Sequence, residues 1–153
     1  MIEILPVAKI KEKVGAVLGV SDWIQITQDR VNAFAECTED RQWIHVDIEQ
    51  AKKGPFGGPI AHGFLVLSMV PFFSAQIGVI PEGAIMAVNY GLNKVRFVNP
   101  VKVGSRIRDN VTLSAVEEKE GKRVLITSTH TIEIENETKP AAIAEMLAMF
   151  MTV

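Results

Sequence analysis

Asp40-Arg41-Gln42-Trp43-Ile44-His45, then Gly57-Gly58-Pro59-Ile60-Ala61-His62-Gly63 opening the apolar run Phe64 to Phe73, is the stretch on which the fold turns. The apolar run carries Phe64, Leu65, Leu67, Val70 and Phe73, which leaves a helix from about Ala61 apolar on nearly every side and so enclosed by other structure. It is too short and too interrupted, by Ser68 and Pro71, to cross a bilayer, which takes about 20 apolar residues. Pro71 removes one backbone hydrogen bond and should kink this helix or end it early.

Working outward, Trp23, Ile24 and Ile26 suggest a short strand, and Thr27 can cap a helix with Val31, Phe34 and Ala35 on one face. That helix should end near Thr38. On a continuing helix, residues five apart lie about 140° round the axis, so Asp40 and His45 converge only if a turn intervenes. Asp47 and Gln50 fit the start of another short helix, with Gly54 as its stop. Cys37 is expected to be a small buried residue on the first of these helices.

The second half reads as strands. Val95 and Phe97 alternate with Lys94 and Arg96, and Ile107, Val111, Leu113 and Ala115 share a parity. Val124, Ile126, Ile132 and Ile134 share another, His130 with them, and Ala141 to Met151 is apolar on both parities, as in a central strand. Helices early and hairpin-linked strands late predict an α+β domain, an antiparallel β-sheet wrapped around a long central helix, occupying residues 1–153 as one unit.

With 48% hydrophobic residues, the chain can bury a core without staples. A net charge of −2 gives no basic footprint for nucleic acid and no polybasic segment for an anionic membrane. One cysteine allows no internal disulfide, which points to a reducing, cytoplasmic setting. Three histidines with Asp40 and Asp47 match no ordinary zinc spacing, so neither metal nor cofactor is expected.

Asp40, His45 and Gly63 are the candidate catalytic residues. A histidine beside a carboxylate can take a proton from water near neutral pH. The first amides of a helix lack intrahelical partners, and Gly63 lets an oxygen approach its N–H closely. A base, a proton carrier and free amides are what a reaction through an enolate requires. His62, at the helix start, reads as a local hydrogen-bonding residue, His130 as a satisfied histidine on a strand, and Glu145 as either a partnered acid or a sheet-edge residue.

At Asp40, His45 and Ile60-Ala61-His62-Gly63 the sequence resembles the MaoC-like (R)-specific enoyl-CoA hydratases. Phe34-Ala35-Glu36-Cys37-Thr38, Gly57-Gly58-Pro59 and Arg96-Phe97-Val98-Asn99-Pro100 extend the likeness over essentially the whole chain. Gln42-Trp43 stands where many members carry Asn-Pro, as in nodulation-protein-N-like sequences, and Pro71 stands where several carry serine. The resemblance implies a hotdog fold and reversible syn hydration of trans-2-enoyl-CoA to (R)-3-hydroxyacyl-CoA. It implies that Asp40 and His45 activate the water and that the Gly63 amide forms the oxyanion hole. Gln42, Trp43, Gly63 and Arg96 would bind the acyl-CoA thioester substrate. It also implies a homodimer, or a higher oligomer of dimers, with the substrate near the subunit interface. A hotdog thioesterase and a non-catalytic acyl-thioester binding subunit of a heteromeric dehydratase stay open as alternatives, since one fold hosts several functions.

Overall fold

A computed structural model describes residues 1–153. In chain order the elements are β1 (Ile2–Leu5), α1 (Val7–Lys11), β2 (Val17–Val20), β3 (Ile24–Gln25), α2 (Gln28–Thr38), α3 (Trp43–Val46) and α4 (Ile48–Lys52). Then come α5 (Gly63–Ser68), α6 (Val70–Ser74), β4 (Gly78–Pro81), β5 (Ala84–Phe97), β6 (Arg106–Lys119), β7 (Arg123–Ile134) and β8 (Ala142–Thr152). The main sheet runs β2-β6-β7-β8-β5, with β3 also paired to β6, and all its pairings are antiparallel. β1 and β4 form a separate parallel pair.

The predicted central helix is present as two short segments, α5 and α6, joined at Met69. Pro71 lies in the first turn of α6, where its missing N–H costs least. The helix begins at Gly63 rather than Ala61, because Ile60 bridges to Lys102 and the Ala61 amide donates to the Val101 carbonyl. Leu65, Val66, Met69, Val70 and Phe73 turn inward against Ile107, Ile132 and Ala142 of the sheet, forming the main core. The expected all-round enclosure does not hold in the isolated chain. Phe64 is 68% exposed and Phe72 49%, since the sheet covers only one face of α5 and α6. β8 lies between β7 and β5, as its two-sided apolar character requires.

Thr27 caps α2 by accepting from the Arg30 amide at 3.2 Å, and Asp47 caps α4 by accepting from the Gln50 amide at 2.9 Å. Cys37 is exposed, contrary to expectation. The buried stripe of α2 is Val31 and Ala35, and a residue two positions beyond Ala35 points about 200° away from it. No helix is long and apolar enough to cross a membrane.

Candidate active site

α2 ends where Glu39 adopts φ +64°, a left-handed conformation that turns the chain out of the helix. Arg41 fastens this turn through Glu36, at 2.8 and 2.9 Å, and through Glu39. All three side chains are exposed, so the network shapes the turn more than it stabilises the fold. Past the turn, the single helical turn α3 carries His45 inward, where it is 6% exposed. Asp40 stays open to solvent, with 52% of its side chain exposed.

His45 is held from two sides. Its Nδ1 lies 2.7 Å from the Ile60 carbonyl, and its own carbonyl accepts from Gln28 Nε2 at 2.8 Å. A carbonyl only accepts, so Nδ1 carries the proton and Nε2 is left with a bare lone pair. Burial pushes the His45 pKa down; the Ile60 hydrogen bond opposes this, while nearby His62 adds to it and Asp40 counters it. Neutral imidazole with a free Nε2 is the state a proton acceptor needs.

His62 does more than the local role expected of it. Its Nε2 donates to the Asp40 carbonyl at 2.9 Å, across 22 positions of sequence, and its ring stacks on His45 with centroids 3.8 Å apart. It thereby ties the backbone of the carboxylate to the ring of the imidazole. Asp40, His45 and His62 each offer a polar atom, all within 4.8 Å of one another. One nitrogen on each ring is committed to a carbonyl, which leaves His45 Nε2, His62 Nδ1 and the carboxylate as the donors a metal could use. Nothing in the sequence flagged Gln28; only the return of α3 beneath the start of α2 brings it to His45.

Beside His45 is a mainly apolar cavity of about 280 Å³, lined among others by Ile60, Gly63, Val66, Phe97 and Asn99. Gly63 opens α5, and its amide makes no backbone hydrogen bond. A methyl group there would stand 3.0 Å from the Phe97 ring, so only glycine leaves this wall open without displacing that ring. Of the residues expected to meet substrate, His45 and Gly63 line the cavity and Asp40 does not. Gln42 is exposed and also lies outside it. Trp43 packs instead beside Gly54, where an added Cβ would lie 2.9 Å from its ring. Arg96 projects from β5 and donates to the Val95 carbonyl at 2.7 Å. Asn99, quoted from the sequence only within the stretch that extends the family likeness, is a polar lining residue.

A helix seated in an antiparallel sheet, with an imidazole beside its first amides, is the architecture of a hotdog protein. The chain belongs to the MaoC-like hydratase/dehydratase family: the "MaoC like domain" matches residues 9–136. It is 46% identical over 145 residues to 3-hydroxyacyl-thioester dehydratase Z of Mycobacterium tuberculosis, covering 95% of both chains. It is 40% identical over 146 residues to nodulation protein N of Rhizobium leguminosarum bv. viciae, covering 95% of this chain and 91% of that one. Among solved structures, the MaoC-like dehydratase of Rhodospirillum rubrum superposes with a TM-score of 0.73 at 18% identity, covering 92% of this chain and 93% of the other. The (R)-hydratase of A. caviae involved in PHA biosynthesis gives 0.70 at 24% identity, covering 86% and 94%. These two likenesses establish the shared fold.

Proposed function

We propose that this enzyme catalyses reversible syn addition of water to trans-2-enoyl-CoA, giving (R)-3-hydroxyacyl-CoA. The observation that carries this reading is the fixed tautomer of His45, which leaves Nε2 free on a ring that groups within 4.8 Å with the Asp40 carboxylate and lines the same cavity as Gly63. Asp40 accepts one O–H of a water, and His45 Nε2 takes the proton from the other as oxygen attacks C3. Electron density moves to the thioester oxygen, which the Gly63 N–H holds, and the imidazolium then protonates C2. One base serving both steps delivers OH and H to the same face. The 3-hydroxyacyl-thioester dehydratase named among the relatives runs the reverse direction, which accords with this assignment.

The test is direct. Incubation with trans-2-butenoyl-CoA should bleach the conjugated thioester absorbance without release of free CoA thiol. Release of thiol with no hydrated product would favour a thioesterase, and absence of both changes would refute the hydratase.

We further propose that the working form is a homodimer joined along β5. This 14-residue strand is the free edge of the sheet, and Ile85, Met86, Val88, Tyr90 and Leu92 on it are exposed. An apolar unpaired edge of this length is a template for another strand, and Phe64 and Phe97 extend its apolar surface. Sedimentation should give twice the chain mass, and Val88→Lys with Leu92→Lys should halve it. A wild-type monomer at micromolar concentration would overturn the dimer, whereas an inactive monomer that gains activity with a related chain would support the heteromeric reading.

A further inference from the structure

Below α6 lies a second cavity, of about 390 Å³, whose lining includes Pro71, Ser74, Ile126, Ser128, Met146 and Phe150. It shares no lining residue with the cavity at His45. Its volume falls within the range of small-molecule sites, roughly 300–1,000 Å³. Most of its wall is apolar, interrupted by Ser74, Ser128 and the exposed Asn89.

Ser128 heads a buried relay. Its Oγ lies 2.8 Å from His130 Nε2, and His130 Nδ1 lies 2.6 Å from Asp109 Oδ2. His130 and Asp109 are both fully buried, and Asp109 Oδ1 has no partner. An isolated carboxylate charge is very costly in such surroundings, so the pair is stable as a neutral unit sharing one proton. Whichever of the two residues holds that proton at the Nδ1 side, Nε2 keeps its hydrogen and donates to Ser128. The Ser128 hydroxyl hydrogen is then free to donate elsewhere. Ser74 Oγ, on the helix side of the same cavity, is withdrawn from solvent and has no hydrogen-bond partner at all. A buried hydroxyl left unpaired costs about 1–3 kcal/mol, and rotation about one bond aims this one into the cavity.

We infer that this second cavity binds an aliphatic chain carrying an oxygen function, a hydroxyl or ketone, which accepts hydrogen bonds from Ser128 and Ser74. A bare alkyl chain would fill the space and leave both hydroxyls unanswered. The inference does not depend on the hydratase reading, because no residue of the His45 cavity takes part.

The probes are 1-octanol and 1-fluorooctane, similar in shape but very different as acceptors. Their dissociation constants are measured by titration of the protein labelled with ¹⁵N in its histidine rings. The His130 ring resonances should show a protonated Nε2 and should shift on adding the alcohol. The preference for alcohol over fluoroalkane should fall by roughly threefold to tenfold in Ser128→Ala and again in Ser74→Ala, the size of one neutral hydrogen bond each. Comparing ratios within each variant cancels differences in hydrophobicity between the probes. Equal ratios in wild type and both variants would overturn the inference, as would no binding of either probe. The same titration in Asp40→Asn should be unchanged, so a failed hydratase assay leaves this result standing. If trans-2-dodecenoyl-CoA displaces octanol and trans-2-butenoyl-CoA does not, the bound chain is the far end of the thioester's own acyl group. If neither displaces it, the ligand is a separate molecule. Both displacement outcomes require the alcohol site to exist and so support it.

Discussion

His45→Gln is expected to keep the fold and lose hydration activity by about 10²–10⁴, the usual worth of general acid–base help. Glutamine can still donate to the Ile60 carbonyl, which preserves the wall of the cavity, but it cannot accept a proton from water. Asp40→Asn should lose activity in the same direction. Its side chain is half exposed and makes only long contacts, 3.4 Å from the Gln42 amide and 4.0 Å from His62 Nε2, so stability should hardly change. Circular dichroism alongside the absorbance assay separates a chemical loss from an unfolding one. Wild-type rates in both variants would remove the dyad from the mechanism.

The same residue fixes the pH response. Burial first, and His62 second, lower the pKa of His45 in the folded chain. The acid limb of kcat/KM should therefore inflect below the ordinary histidine value of about 6.5. The stability linkage has a definite sign. A histidine whose folded pKa is depressed binds its proton more readily in the unfolded chain. The neutral form's contribution is complete above about pH 6.5 and declines as pH falls through the folded value. An inflection above 6.5 would mean that a different group carries the proton.

Asp109→Ala should cause the largest loss of stability, about 3–5 kcal/mol, because it strips a fully buried histidine of its partner at Nδ1. For a chain of this size, that corresponds to a fall in Tm of roughly 6–20 °C. Burial raises the Asp109 pKa while His130 opposes the rise, so the carboxyl keeps to its proton-sharing role only while the ring is beside it. Asp109→Asn keeps the shape and a hydrogen-bonding group and should lose less than half as much. A thermal melt showing equal, small shifts for both substitutions would mean that the pair contributes little. Hydratase turnover in Asp109→Asn should persist below its melting temperature, since the pair lies outside the His45 cavity.

Legibility from sequence followed how locally each element is specified. α2 and α4 announce themselves through Thr27 and Asp47, whose side chains satisfy orphan amides within three residues, so the caps are visible without tertiary knowledge. β6 and β7 show alternation because one face of each meets the core. β1, α1, β2 and β4 escaped notice, being four or five residues long and held by partners distant in sequence, as when Ile2 to Leu5 pairs with Gly78 to Pro81. Most of β5 escaped for a different reason: from Ile85 to Leu92 both faces are exposed in the single chain, so no period of two is imposed. In the site, Asp40, His45 and Gly63 were legible through their spacing. The reach of His62 to the Asp40 carbonyl and of Gln28 to the His45 carbonyl was not, since both span 17 or more positions. Trp43 was expected against substrate and packs beside Gly54, because α3 is only one turn long and presents His45, not its neighbour two residues earlier, to the cavity.

The brevity of α3 bears on how such a chain can vary in length. One residue added between Trp43 and His45 would swing the imidazole by about 100° about the helix axis. It would leave the Ile60 carbonyl, lose its assigned tautomer and face away from the first amide of α5. The loop at Gly58 has no such restriction, for a Cβ there would meet nothing within 4 Å, and beside it only Gly57, at φ +70°, calls for glycine's conformational freedom. Insertions and deletions among active homologues should therefore gather there, and the count from carboxylate to imidazole should stay fixed.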